Sequence, residues 1–354
     1  EADAPLARDE LDSNVCYTVT RDGGDVDKAF AEADHVASLR IASPRLAAVA
    51  LEPRGVLAVP DPFGQGLTVW MSTQAPHRTR GDLAIALGYP EQDIRLIAPD
   101  VGGGFGSKGS LYREYVLACH LALKLGRPVK WVATRSEDLM TTAQGRDMIM
   151  HAELALKRDG TMTGLKVRLL GNLGAYLQSS TAGPPTRMLA MAPGCYKIPN
   201  VHVEVVGVFT NTISTGPYRG AGRPESVLAI ERMTDQAARD LGLDPIEIRR
   251  KNFIKPDEFP YKTATGAQYD SGDYEQALDE ALELSRYHDL LHQRDERRAK
   301  GELVGVGLCT FVEPSGGAGF ESGAVRIERG GTVTVLTGSS SHGQGHELSL
   351  IHIS

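Results

Sequence analysis

The sequence has little of what announces the commonest chemistries. Its 354 residues include four cysteines, Cys16, Cys119, Cys195 and Cys309, and no C-x-x-C pair. The local cysteine signatures of zinc and iron–sulfur sites are therefore missing from this chain. Widely spaced thiols fit a reduced, cytoplasmic protein. A basic excess is missing as well: 38 Lys and Arg stand against 45 Asp and Glu, a net charge of -7. Nucleic-acid binding needs a basic face to neutralise phosphates, which argues against that class of partner. No apolar run approaches the ~20 residues that cross a bilayer. The chain opens at Glu1 without an initiator Met or a signal-peptide pattern, and it closes on the apolar "LSLIHIS" with no closing element. The expectation is an internal segment of a longer polypeptide.

What is present is ordinary globular material, 41% hydrophobic and 23% charged, in a length that suits two domains. Residues 1–24 open polar and acidic and read as a linker from a preceding domain. "DVDKAFAEAD" is a short helix capped by Asp25. "HVASLRIA", "GVLAV" and "LTVWM" read as strands, the last two joined by a turn through "PDPFGQG". "APHRTRGDLAIALG" is a helix with Pro76 in its first turn and Gly88 at its end. "DIRLIAPDV" returns as a strand, and "LYREYVLACHLALKLG" follows as a helix closed by Gly126. "VKWVAT" is a strand, and two long strands flank the Asp159-Gly160 turn. "VHVEVVGVFT" is a further strand. Val227, Ile230, Met233 and Ala237 mark an amphipathic helix that Gly242 ends. Asp244 caps the next helix.

The polar stretch 255–273 is the best boundary, giving a first domain over 25–255, then a linker and the truncated start of a second over 256–354. In the second, a charged helix spans 273–300. "LVGVGLCTFVE" is a strand, and "GAVRIER" and "TVTVLTG" pair around Gly330-Gly331. Hairpins mixed with helices make the class α+β, with mixed sheets, rather than a repeating βαβ fold. No solenoid repeat is present.

The stretch "RLIAPDVGGGFGSKGS" (95–110) raises the main question. Gly104-x-Gly106-x-x-Gly109 formally matches a dinucleotide fingerprint between strand and helix. The acid required about 20 residues later is missing, since that position falls at Val129-Lys130. A Walker A loop fails because Ser107, not glycine, precedes Lys108. A tight structural turn with a packed Phe105 and a backbone cradle for an anion or oxo group both remain open. The loop alone does not name a ligand.

Three other stretches bear on it. "TGSSSHGQGHE" (337–347) is a second glycine loop. His342 and His346 have the spacing of a helical zinc pair, but Gly343 and Gly345 disfavour a helix there. A backbone cradle for phosphate suits Gly343, Gln344 and Gly345 better. "TGPYRGAGRPE" (215–225) places Arg219 and Arg223 before a helix, as anion-binding forks or as caps on nearby carbonyls. "STQAPH" ends a strand with Gln74, which can both donate and accept.

Taken in order, "STQAPH", "GGGFGSK", "YRGAGRPE", "DPIEIRRKNF" and "GQGHE" resemble the molybdopterin-binding large subunit of the xanthine dehydrogenase/aldehyde oxidase family, including aerobic carbon monoxide dehydrogenase-like enzymes. The resemblance spans roughly residues 25–347. It implies a molybdenum-cofactor-binding domain and the start of a second similar one. It implies a molybdenum–molybdopterin cytosine dinucleotide cofactor with no direct protein ligand to the metal. Gln74 would hydrogen-bond a molybdenum oxo group. Gly104, Phe105 and Gly106 would lie against the metal centre, the Phe105 and Gly106 N–H groups approaching an oxo ligand and the Phe105 ring walling the substrate pocket. Arg219 would sit near metal and substrate, and Gly343, Gln344, Gly345 and His346 would cradle the dinucleotide.

The implied activity is oxidative hydroxylation of an aldehyde or N-heteroaromatic compound with water as oxygen source. Electrons would leave through iron–sulfur clusters to FAD. The cysteines here cannot hold such clusters, so a 2Fe–2S small subunit and an FAD-binding medium subunit are the implied partners, in a dimer of heterotrimers. The family's general-base Glu lies beyond the matched motifs, and neither Glu313 nor Glu347 is given that role, so the chain alone is expected to be inactive. Copper-dependent carbon monoxide members carry cysteine where this chain has Gly220, and purine-oxidising members carry glutamate where it has Gly109. Both departures argue against those substrates. After Glu347 the family continues as a helix, which "LSLIHIS" does not resemble. A non-catalytic cofactor-binding or assembly module of the same fold is the alternative, and a nicotinamide dehydrogenase is a third reading.

Overall fold

The computed structural model describes residues 4–314 and 322–353. Two sheets organise it. The chain opens with β1 (Val15–Gly23), α1 (Val26–Ala31) and β2 (His35–Ser43). It continues through β3 (Gly55–Pro60), β4 (Leu67–Met71), α2 (Pro76–Leu87), β5 (Ile94–Ile97), α3 (Arg113–Leu125), β6 (Val129–Val132) and α4 (Arg135–Thr141). Then come β7 (Met148–Leu156), β8 (Met162–Gly174), α5 (Gly183–Met191), β9 (Asn200–Phe209), α6 (Arg223–Leu241) and α7 (Pro245–Asn252). A two-residue pair β10 (Tyr261–Lys262) and β11 (Gln268–Tyr269) leads to α8 (Tyr274–Ser285) and α9 (Tyr287–Ala299). The chain finishes with β12 (Gly323–Ile327), β13 (Val333–Thr337) and α10 (His346–Ile353).

The larger sheet has the order β1-β9-β8-β7-β2, antiparallel except for the parallel pair β8–β9. Its inner face is lined by Met150, Leu154, Val167, Val203 and Val205, and α6 covers it with Ile230, Met233 and Ala237. That is the helical stripe the spacing predicts. The smaller sheet has the order β5-β4-β3-β6, with only β4–β5 parallel. It packs against α2 and α3 through Val56, Val69, Leu83, Tyr115 and Ala122. The mixed sheets and helices make the fold α+β, as expected.

The predicted punctuation is visible in the backbone. Gly88, Gly126 and Gly242 adopt the left-handed conformation at the ends of α2, α3 and α6. Asp25 and Asp244 accept backbone N–H groups at the starts of α1 and α7.

Several expectations need correction. The stretch read as a linker over 1–24 is not one throughout: 15–23 form β1, an edge strand paired with β9. Only part of its surface is covered, so its sequence stays polar. Residues 1–3 lie outside the described residues. The charged helix over 273–300 is two helices, broken where Arg286 takes a left-handed φ of 52°. The strand expected at 303–313 has no ladder partner among the described residues. It still alternates, with 304, 306, 308, 310 and 312 turned inward. Thr310 N–H donates to Glu231 at 2.8 Å and the Leu308 carbonyl accepts from Arg249 at 3.4 Å. Leu278, Tyr287, Val306 and Leu308 thus join the first unit's core, so packing does not divide at 255–256. Residues 346–353 of the closing stretch are helical, where no helix was expected. Helices α4 and α5 were not anticipated. A Thr134–Glu137 capping box starts α4, and Pro184 and Pro185 lie in the first turn of α5.

Candidate cofactor site

Because β4 and β5 run parallel as neighbours, their C-terminal ends open on the same edge of the small sheet. Gln74 follows the first and the glycine loop follows the second, so the topology brings them together. This is where ligands collect in α/β sheets. The Arg219 loop arrives from the other sheet, between β9 and α6. The two loops join at one hydrogen bond, from Arg219 N–H to the Phe105 carbonyl at 3.0 Å.

Gln74 is the hub. Its Oε1 accepts from Gly106 N–H at 2.8 Å and Lys108 N–H at 3.1 Å. Two backbone donors aimed at one atom fix the amide orientation. Its Nε2 then donates to His342 Nε2 at 3.2 Å, while His342 Nδ1–H donates to the Ser340 carbonyl at 3.1 Å. The Gly106 N–H, expected to approach an oxo ligand, is therefore spent on Gln74. Among the described residues nothing accepts from the Phe105 N–H.

The loops must approach closely. A Cβ on Gly104 would stand 2.4 Å from the Gln74 side-chain carbonyl carbon, and one on Gly106, where φ is +101°, would stand 2.5 Å from the Pro217 carbonyl oxygen. The absence of side chains is thus a packing requirement between two loops.

Together the loops enclose a cavity of about 900 Å³. It is lined by residues 102–106, Pro217, 219–221 and 342–344, with Gln74, Val49 and Leu51. Gln74, Gly104, Phe105, Gly106, Arg219, Gly343 and Gln344 are thus brought together at one cavity. Gly345 and His346 follow at once in the chain but do not line it. His346 Nδ1 is buried without a partner among the described residues. Val49, Leu51, Pro217 and Ala221 were missed, because nothing local in the sequence marks them; His342 was noted only for its spacing from His346, and its contact with Gln74 was not foreseen. Of the six described non-glycine residues with positive φ, three line this cavity: Val49, Phe105 and Ala221. Such backbone strain collects at functional sites.

The electrostatics are one-sided. Among the described residues no carboxylate lines the cavity. The Arg219 guanidinium is exposed and has no carboxylate partner among the described residues, whereas Arg223 is engaged by Glu313 at 3.0 Å. Behind the Arg219 loop, Arg146 donates to the Tyr218 and Arg219 carbonyls at 2.9 Å each and pairs with buried Glu225 at 3.4 Å. Burial pushes the Glu225 carboxyl up, against the pull of Arg146. Among the described residues no group of His, Cys, Asp and Glu could hold a metal ion directly. An unpaired cation, a free backbone N–H and the opposed Gly103 and Gly343 backbones fit an anionic, oxo-bearing group held by backbone and amide donors.

The sequence pattern of a molybdopterin cofactor-binding domain matches residues 7–253, and that of a second such domain matches 280–354. The chain belongs to the molybdopterin cofactor-binding family. It is 37% identical to the carbon monoxide dehydrogenase large chain of Hydrogenophaga pseudoflava, over 99% of this chain and 47% of that protein. It is also 37% identical to the 6-hydroxypseudooxynicotine dehydrogenase complex subunit gamma of Paenarthrobacter nicotinovorans, over 93% of this chain and 42% of that one. Quinoline 2-oxidoreductase from Pseudomonas putida 86 shares the fold with a TM-score of 0.92 at 33% identity, covering 98% of this chain and 46% of that one. The chain therefore spans about half the length of the molybdopterin-binding relatives it matches. No helix among the described residues is long and apolar enough to cross a membrane.

Proposed function

We propose that this chain forms one wall of the active site of a molybdenum hydroxylase large subunit, acting on an aldehyde or N-heteroaromatic substrate with water as oxygen donor. The observation that carries this reading is the acid-free cavity where Gln74, Phe105 and Arg219 meet. When bound, a molybdenum–molybdopterin cytosine dinucleotide supplies the two-electron oxidation. The chain's own residues bind and orient it. The Phe105 N–H and the remaining Gln74 N–H would be the donors available to hold it. Arg219 offers a fork to an anion or a substrate carbonyl. Gly343, Gln344 and Gly345 present backbone N–H groups to the dinucleotide phosphates, with His346 beside them.

Among the described residues no carboxylate lines the cavity to act as general base, so on this reading the base carboxylate comes from outside them and the chain alone binds without turnover. That same observation keeps a cofactor-holding module without catalysis as the second reading. Relatives named as a large subunit and as a complex subunit support the presence of partner subunits; the reading takes these as 2Fe–2S and FAD-binding subunits, in a cytoplasmic dimer of heterotrimers. The reading assigns residues 25–255 to a first cofactor domain and 256–354 to a linker and the start of a second, with the linker helices packed on the first domain's core.

Copper-dependent carbon monoxide oxidation is not proposed, despite the likeness to a carbon monoxide dehydrogenase. A side chain at Gly220, where φ is +91°, would meet the Pro224 ring at 2.4 Å, so this loop has no room for a thiolate there. Metal and nucleotide analysis of the full-length protein, purified with its partner subunits, tests the reading. About one molybdenum per chain with a released cytosine nucleotide is expected. A protein free of molybdenum, from a host that makes the cofactor, would refute it.

A further inference from the structure

The one cation of the glycine loop takes no part in the cavity. Lys108 is 2% exposed. Its ammonium donates to the Glu52 carbonyl at 2.7 Å and to Glu52 Oε2 at 2.9 Å. That same carboxylate oxygen accepts from Gly102 N–H at 2.7 Å and from Ser72 Oγ at 2.9 Å. The backbone adds to the frame: Glu52 N–H donates to the Gly102 carbonyl at 3.2 Å, and Gln74 N–H to the Lys108 carbonyl at 3.0 Å. One carboxylate oxygen thus gathers the first residue of the loop, the last residue of the loop and the segment leaving β4. Between Gly102 and Lys108 the loop is a closed hoop, and it carries Phe105 and Gly106 into the cavity.

Burying an ammonium is unfavourable, and an apolar residue would close a merely structural turn as well. The charge is justified by what it fixes, which is the separation of two points on a loop that has almost no side chains of its own to pack.

We propose that the Lys108–Glu52 pair is the positioning device of the glycine loop, setting where the Phe105 N–H and the Gln74 amide stand relative to the cofactor. The proposal rests on the reading of the cavity as the molybdenum-cofactor site. Neither residue lines the cavity. They act through the loop.

The test uses the full-length protein with its partner subunits, as wild type, Lys108→Met and Glu52→Gln. Methionine keeps the volume and removes the charge, and the freed Glu52 carboxylate, 38% exposed, reaches water, so the fold should survive. In protein from molybdenum-starved cells, amide exchange over 102–108 should quicken by about tenfold or more in Lys108→Met, with β7 and β8 unchanged. Glu52→Gln, which keeps an acceptor for Gly102, should show a smaller effect. In replete cells Lys108→Met should lose molybdenum several-fold, and its loaded fraction should lose kcat with KM unchanged. Wild-type loop exchange in Lys108→Met overturns the proposal. So does loss of protection throughout the large sheet in both variants, which would make the pair a stabiliser of the fold. If the loop loosens in Lys108→Met while even the wild type holds no molybdenum, the cofactor reading fails and the control of the loop stands.

Discussion

Replacing Gly106 by Ala tests whether the close approach of the two loops matters. The new Cβ would stand 2.5 Å from the Pro217 carbonyl oxygen, and ordinary contact begins at 3.4 Å. The loops must therefore part by 3.4 − 2.5 = 0.9 Å. A Cβ at φ +101° adds backbone strain of about 1–3 kcal/mol. Neither hydrophobic cluster includes Gly106, so the domain should stay folded. The displacement falls on the Phe105 carbonyl bond to Arg219 and on the Gly106 bond to Gln74. A shift near 1 Å among positioned groups lowers turnover about 100-fold, or about 2.7 kcal/mol of transition-state stabilisation. The assay is dye-linked oxidation of whichever aldehyde or N-heteroaromatic the full-length wild-type complex turns over. Turnover within about threefold of wild type, with normal molybdenum content, would refute the reasoning.

Two further perturbations address the frame behind the site. Arg249 is fully buried and holds Glu231 at 3.0 Å and Asp235 at 2.8 Å. Burial opposes its charge, but the Glu231 and Asp235 carboxylates outweigh that and keep it protonated. Arg249→Met strands the Glu231 carboxylate and should cost about 3–5 kcal/mol in urea unfolding, whereas a loss under about 1 kcal/mol would contradict the assignment. Acid should act on Glu52 and Glu114. Burial works to raise both, yet Lys108 with Gly102 and Ser72, and Arg54 with Thr141, hold them below the ordinary 4.5. Their contribution is complete above 4.5 and is lost as pH falls through the depressed values, because the unfolded chain takes up protons first. A stability that rises on acidification through this window would contradict the sign.

Much of the fold could be read from local chemistry. Left-handed glycines end α2, α3 and α6. The Asp159-Gly160 turn joins β7 and β8, and the stripe Ile230, Met233, Ala237 faces the large sheet. Features that depend on distant partners were not legible. The β1 strand has β-branched and aromatic residues at Val15, Tyr17 and Val19, a local strand signal that the reading of 1–24 as a linker passed over, and its place at the sheet edge depends on the distant β9. Residues 303–313 have the alternation of a strand, but whether alternating residues pair with a neighbour or lie unpaired on a core is decided elsewhere in the chain. Arg286 breaks a helix that its neighbours would continue. At the site, the glycine loops, Gln74 and Arg219 were visible as motifs because close backbone approach constrains residue type. Glu52 was not, since it meets Lys108 across 56 positions, and His342 meets Gln74 across 268.

The cavity between residues 102–106, Pro217, 219–221 and 342–344 is the proposed seat of the molybdenum. Anomalous diffraction at the molybdenum absorption edge, from crystals of the full-length protein with its partner subunits, measures that directly. One strong peak inside this cavity, bounded by Gln74, Phe105 and Arg219, is the predicted result. A peak elsewhere in the protein, or none in protein made with molybdenum and the cofactor available, would contradict it.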